Sequence, residues 1–545
     1  MKDLGFTSRG TGLFQVLIAA ELMVALSLGT YMLWQGNGNL DEGWYLFAGQ
    51  RVYQGALPYR DFAFFQTPLS AFVYGIPSVF GLRAVMGGEA ISLVLMLVTL
   101  GVAMRVACVH GGRVAALLVP PLLLNPLTLW AFTSVRTEPV STLLLTLIAY
   151  FLLEGDSTPK RAALACVTAV LAVLARLSMV PMMLLVVGWS LYRFRGNRSV
   201  MRVFAAGGLV IALGCVGMVW VTGPDDIWFG LVLSQAERSS QLAAVPFSIA
   251  RFLFSKILAL FTVALQFPVA FVTGAAGCVW MGAEVHSRAR RGWLAGVISD
   301  PLIVLFGLGM VSYLPQLAPR NTFDIYFVPS TATIAIAIAI VVGRWSASQP
   351  RQVLVRLALL GLGVLQVLLF MEGEVGFALF HRIVPASVKS RFSRSALYVQ
   401  GADTDHHRLH TLARVVEEMT PSDRQVVTLD LGVALEAHRV VPDELSMGVF
   451  AYYPRLTDVA ARENGVVNER LFRALFQRPE VGTIVLNDLV LGFMFRRNWS
   501  GFEPTRSLSE AELQQLLPEL SAFRLAYTGL SIRNAPGPAY VLVRQ

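Results

Sequence analysis

The sequence predicts an all-α polytopic membrane domain followed by a C-terminal extracytoplasmic domain of mixed α/β type. Three observations carry that expectation. Fifty-five per cent of the 545 residues are hydrophobic, only 14% are charged, and mean hydropathy is +0.60, whereas a soluble chain carries about a quarter charged residues. Apolar runs of roughly 20 residues, each long enough for a hydrocarbon core about 30 Å thick, recur through the first two-thirds of the chain. After about Glu372 they give way to short strand-like runs alternating with amphipathic helical patterns.

The apolar segments lie near residues 12–34, 88–109, 114–131, 138–153, 161–176, 178–192, 203–222, 253–283, 295–315, 326–343 and 355–371, which makes about eleven transmembrane helices. The first follows Lys2 and Arg9, as in a signal peptide, but is too long for one and lacks an A-x-A cleavage site, so it reads as an uncleaved span. The clusters Arg193/Arg195/Arg198/Arg202, Arg288/Arg290/Arg291 and Arg344/Arg351/Arg356 all fall on one side, with Arg113 and Lys160/Arg161, if the N-terminus is cytoplasmic and the C-terminus is outside. That parity requires the 69–81 stretch, short and interrupted by Pro77, to be a juxtamembrane helix that does not cross. The short pair 161–192 reads as a helical hairpin with Arg176 near its outer tip.

The chain thus divides into a transmembrane domain, 1–372, and an α/β domain, 373–545, of ordinary single-domain size. In the latter, Val426–Leu429, Thr483–Leu486 and Tyr540–Val543 read as strands, and Arg408–Met419 and Asn468–Phe476 as helices. From Glu374 onwards 19 basic and 19 acidic residues balance, so the whole net charge of +9 resides before it, mostly in short loops between spans. The basic balance therefore follows from membrane topology and implies no nucleic-acid partner. The four cysteines (Cys108, Cys166, Cys215 and Cys278) all lie in or beside apolar runs and predict no disulfide in the C-terminal domain.

The candidate chemistry sits in the first outer loop, 36–68. Adjacent carboxylates, Asp41 and Glu42, stand just beyond the first span, a third, Asp61, follows Tyr59-Arg60, and Trp44, Tyr45, Phe47, Tyr53, Phe62, Phe64 and Phe65 interleave with them. One reading is an interfacial segment anchored by aromatic rings with solvated acids. The loop is long, however, and acidic residues are scarce elsewhere on the outer side of the spans, which favours a site. Arg60, Arg136, Arg176 and Arg320 map to the outer ends of spans, where a guanidinium either snorkels to headgroups or grips a phosphate through bidentate hydrogen bonds. Glu138, two residues after Arg136, is either half of an ion pair or a third acid facing a cavity. Asp225, Asp226, Glu237 and Arg238 mark a loop that is either a solvated surface or a lid. Asp405, His406, His407 and His410 contain an i, i+4 pair but lack an evident third zinc ligand.

The order Asp41-Glu42-Gly43-Trp44-Tyr45, then Gly55-Ala56-Leu57-Pro58-Tyr59-Arg60-Asp61-Phe62, then Thr67-Pro68-Leu69 resembles the first periplasmic loop of polyprenyl-phosphate-dependent glycosyltransferases of the GT-C type. The members it is similar to are bacterial relatives of protein mannosyltransferases and lipid A aminoarabinose transferases. Weaker similarity continues through Arg136-Thr137-Glu138-Pro139, Ala175-Arg176-Leu177-Ser178 and the segment from Asn321 to Tyr326. The resemblance implies a GT-C-like membrane fold over about the first 345 residues. It implies an enzyme of the bacterial inner membrane that moves a sugar from a polyprenyl-phosphate donor to a glycan, lipid or protein acceptor at the periplasmic face, by a single inverting displacement. Asp41 would be the general base, and Glu42 its positioning neighbour or an acceptor-binding group. Asp61 would meet sugar hydroxyls or a divalent cation, the one cofactor left open. Tyr45, Tyr59, Arg60, Arg136, Glu138, Arg176, Arg320, Asn321 and Tyr326 would bind donor phosphate and substrate among the membrane lipids. Some relatives carry a lysine before the proline that opens the short helix; here Gln66-Thr67 precede Pro68, so another cation must serve the phosphate. The competing expectation is a polyprenyl-lipid flippase or transporter, which predicts ionisable groups at mid-bilayer and paired broken helices. A catalytically silent scaffold is the third.

Overall fold

The computed structural model describes residues 8–35, 40–124, 126–154, 158–234, 300–317, 324–348, 404–487, 507–530 and 537–545, with the isolated positions 249, 253, 254, 256, 257, 490 and 491. Among the described residues, five helices are long and apolar enough to cross a membrane: Gly12–Trp34, Ala84–Leu123, Leu177–Phe194, Arg198–Thr222 and Ile325–Arg344. Shorter apolar helices cover Thr137–Leu153 and Pro301–Gln316. The expected span 355–371, nearly all of 253–283, and the domain boundary at 372/373 lie outside the described residues.

Helix α1 (Ser8–Gln35) leads into α2 (Leu40–Tyr53), so the start of the first outer loop is helical rather than irregular. Two short helices follow, α3 (Leu69–Tyr74) and α4 (Ile76–Val79). With Gly75 between them they span eleven residues, a rise of about 16 Å or half of a hydrocarbon core, and they pack on α2 and on the start of α5 (Ala84–Leu123).

The two spans expected at 88–109 and 114–131 are halves of α5, broken at Gly112, where φ 79° and ψ −173° leave the helical region. A side chain there would be strained, which is why a glycine stands at the break. The second half ends at Leu123, beyond the Pro120-Pro121 pair, and α6 (Pro126–Phe132) carries the chain on towards α7. Then α7 (Thr137–Leu153), α8 (Pro159–Ala175) and α9 (Val180–Phe194) follow, with Arg176 extended in the turn between α8 and α9, as the hairpin reading expects. Helix α10 (Arg198–Thr222) buries only Thr222, so its apolar surface faces outward, as a lipid-exposed helix does. After α11 (Pro224–Trp228), α12 (Pro301–Tyr313) and α13 (Val328–Ser348) complete the described helical part. α13 lies along α5, with Ala332, Ile336, Ala339 and Ile340 buried at helical spacing.

The C-terminal part is built on a four-stranded mixed sheet of order β1-β2-β4-β3. Strand β1 (Gln425–Thr428) runs parallel to β2 (Val481–Asn487), while β4 (Pro538–Arg544) is antiparallel to both β2 and β3 (Phe523–Leu530). Every residue of β2 is buried, which accounts for its unbroken apolar run. Helix α14 (Asp405–Met419) starts at Thr404, whose hydroxyl accepts from the His407 amide at 3.1 Å. α15 (Leu431–Glu436) and α16 (Asp458–Glu463) follow, then α17 (Glu469–Leu475), capped by Asn468. The three expected strands and two expected helices are present. The fourth strand, β3, has alternating exposure and a register irregularity, so it shows no apolar run in the sequence.

Candidate active site

Asp41 and Glu42 occupy the first turn of α2, where unpaired backbone amides favour carboxylates. Glu42 is buried and its Oε1 accepts the Val135 amide at 3.0 Å, tying α2 to the segment between α6 and α7. Asp41 is more open, and its Oδ2 lies 3.4 Å from Arg136 Nη1. The Arg136 guanidinium sits 4.4 Å over the Trp130 ring, and its backbone carbonyl accepts from the Tyr74 hydroxyl at 2.7 Å. Next to it, Arg176 Nη1 contacts Glu138 Oε1 at 2.8 Å and lies 4.8 Å over the Tyr326 ring. Tyr45 is buried, and its hydroxyl lies far above its ordinary pKa, first through burial and then through the fields of Glu138 and Asp41. The result is an alternating row of charges, Asp41, Arg136, Glu138 and Arg176, with the Asp41 side chain 28% exposed and the Glu138 side chain 4%.

Arg136 and Arg176 do not snorkel: both side chains are 11% exposed and held by carboxylates and aromatic faces. Nε of Arg136 is a buried donor without a partner. Glu138 is half of a buried ion pair. Arg320 and Asn321 lie outside the described residues, as do Glu237 and Arg238.

Asp61 and Arg60 form a closed turn of their own. Asp61 Oδ2 accepts from the Leu57 amide at 2.7 Å, and Arg60 forks onto both carboxylate oxygens at 2.8 and 2.9 Å. The Arg60 hydrogen bonds hold the Asp61 carboxyl below its usual range. Tyr59, with φ 71°, turns back so that its hydroxyl donates to the Gln66 carbonyl at 2.5 Å. Both oxygens of Asp61 are therefore engaged locally. Among the described residues no group of three His, Cys, Asp or Glu side chains is arranged to hold a metal ion.

Apart from Tyr53, which is exposed, the loop aromatics are buried in the core rather than set out as interfacial anchors. Trp44 meets Phe64 and Phe450, and Phe65 meets Phe229 and Tyr453, joining the loop to the C-terminal part. The two parts also meet backbone to backbone. A methyl on Gly43 would lie 2.6 Å from the Gly432 amide nitrogen, so α15 rests on the turn that bears Asp41 and Glu42. Trp130 and Tyr74 escaped the sequence reading; an aromatic residue six positions before Arg136 was the available signal for the first.

The helix layout has the fold of GT-C membrane proteins, as superposition on solved structures shows. Its solved neighbours give that class particular examples. ArnT, an aminoarabinose transferase from Cupriavidus metallidurans, superposes in its undecaprenyl-phosphate complex with TM-score 0.58 at 14% identity, covering 98% of each chain. The same protein in the apo state gives 0.56 at 15% identity, again over 98% of each chain. The oligosaccharyltransferase AglB from Archaeoglobus fulgidus gives 0.44 at 11% identity, over 88% of this chain and 70% of that one. No family model matches the sequence, and no curated protein matches it.

Proposed function

We propose that this chain is an inner-membrane glycosyltransferase that moves a sugar from a polyprenyl-phosphate donor to an acceptor at the periplasmic face, with Asp41 as general base. The observation that carries the reading is the Asp41–Arg136 contact: a carboxylate at a helix N-terminus, partly open, and held in place by an arginine that is itself clamped by Trp130. The neighbours' fold, and the lipid phosphate named for one of them, support it.

In the proposed reaction the acceptor hydroxyl or amine attacks the anomeric carbon and its proton passes to Asp41. The bond from the anomeric carbon to the phosphate oxygen breaks, and polyprenyl phosphate leaves with the electron pair. The free Nε donor of Arg136 suits the charge that grows on the departing phosphate. Glu42 acts as a positioning residue through Val135. Glu138 keeps Arg176 oriented beside Tyr326, and that face of the row is offered to the donor headgroup.

The test is transfer of label from a panel of radiolabelled polyprenyl-phosphate sugars to envelope lipid extract by purified protein. Asp41→Asn should lower transfer by about 10²-fold or more, the usual size of a lost general base, while Asp61→Asn leaves most of it. Survival of full activity in Asp41→Asn moves the base elsewhere. EDTA should leave transfer intact; loss restored by a divalent cation would return Asp61 to the site. Donor lipid crossing a reconstituted bilayer without transfer would instead favour a flippase.

A further inference from the structure

A second cluster of charged groups joins the start of α5 to the C-terminal part. The Val85 amide, one of the unpaired donors at the N-terminus of α5, is accepted by Glu436 Oε1 at 3.0 Å. One turn further, Glu89 is fully buried, and its Oε2 lies 2.8 Å from His406 Nε2. Its other oxygen, Oε1, is buried without a partner. His410, one turn along α14, has Nδ1 3.4 Å from Glu436 Oε2 and Nε2 3.2 Å from Arg83 Nη1. The two imidazole rings are 5.9 Å apart, Asp405 is buried beside them, and Arg414 bears on His410.

Helix α15 links this cluster to Asp41. Its last residue, Glu436, caps α5, and its start, Leu431-Gly432, lies against Gly43. At six residues it is about 9 Å long, too short to bend, so a shift at one end is felt at the other. Leu409 of α14 and Val85 of α5 both approach Gly432.

Resting on the reading of Asp41 as the base, we propose that His406 is a positioning residue for that site: paired with Glu89, it clamps α14 and α15 onto the start of α5, and α15 seats the turn bearing Asp41 and Glu42.

The clamp depends on pH in a definite direction. Burial pulls the His406 pKa down, but Glu89, through its charge and its hydrogen bond, together with Glu436 and Asp405, offsets this, so the pKa is raised. A histidine raised in the folded state contributes stability that is complete below its unfolded value of about 6.5 and lost as pH climbs through the folded value. Deprotonation leaves Glu89 buried opposite a neutral ring. His410 is held below its ordinary value, by burial first. The clamp therefore holds near neutrality and loosens in alkali.

Hydrogen exchange of the full-length protein in nanodiscs, corrected for intrinsic rates, tests this without reference to activity. As pH rises from near neutrality into the alkaline range the wild type should show exchange in Leu40–Tyr53 and Leu431–Glu436 rising by at least about tenfold. In His406→Gln exchange there should already be high at neutral pH, with no step, while β2 stays protected, which reports an intact fold. Glu436→Gln, which keeps the His406–Glu89 pair, should retain the step. Wild-type exchange in His406→Gln, or a step that appears equally in β2, overturns the proposal. If transfer is found, its alkaline fall should vanish in His406→Gln; a fall that persists unchanged also overturns it. Absence of transfer with the exchange step present sinks the catalytic reading alone.

Discussion

Asp430, the residue just before α15, shows how burial near the site is felt as a dependence on pH. Burial raises its carboxyl to about 6, against the pull of the Gly432 and Val433 amides. The folded form thus binds a proton more tightly than the unfolded chain, whose aspartate titrates near about 3.9. Stability is complete below the lower value and falls as pH rises through the higher one. Asp430→Asn should therefore raise Tm above about pH 7, by the equivalent of about 1–3 kcal/mol, and leave it unchanged near about pH 4. Thermal melts of both proteins across that range decide it, and a loss of Tm at both ends would show that the carboxylate is needed ionised. At this scale, the acids and arginines at the span mouths were legible in the sequence because charge is rare there. Their pairing was not, since Glu138 finds Arg176 across 38 residues and Arg136 finds an aromatic face on α6.

Among the elements, α2 and α15 are joined by absence of side chains. Alanine at position 43 would place its methyl 2.6 Å from the Gly432 nitrogen and 2.9 Å from Leu431 Cβ, with backbone that cannot step aside cheaply. Gly43→Ala should cost about 1–3 kcal/mol of stability, as overpacking does, and lower transfer. Gly101→Ala, whose methyl would meet nothing within 4 Å, is the matched control. Equal melting of the two variants would mean that the helices separate freely. The helical state of α2 was hidden in the sequence by Gly43 and Gly49 and by the unbroken run Trp44 to Ala48, all of it buried, which leaves no polar face at helical spacing. β3 was hidden for the opposite reason: as an edge strand it alternates exposure and carries Arg524, Thr528 and Gly529. The spans, by contrast, were legible because a bilayer demands length and apolarity whatever the packing.

For the whole molecule, the proposed topology puts the N-terminus and the α9–α10 turn in the cytoplasm and the C-terminal part outside. With the four native cysteines replaced by serine, a membrane-impermeant maleimide should label Arg462→Cys on intact spheroplasts and Gly196→Cys only after permeabilisation. The reverse pattern would place the Asp41 row on the cytoplasmic side and require a different donor pool.

The Glu89–His406 pair spans 317 residues of sequence, which has a consequence for biosynthesis. A ribosome adding about 5–20 residues per second delivers the carboxylate to the bilayer tens of seconds before its cation exists. During that interval the nascent helix carries an unmatched acid near its end, until the C-terminal part of the chain has folded against it. Ribosome stalling or premature termination between the two positions would leave helices that are inserted but unlocked, a natural substrate for membrane quality-control proteases.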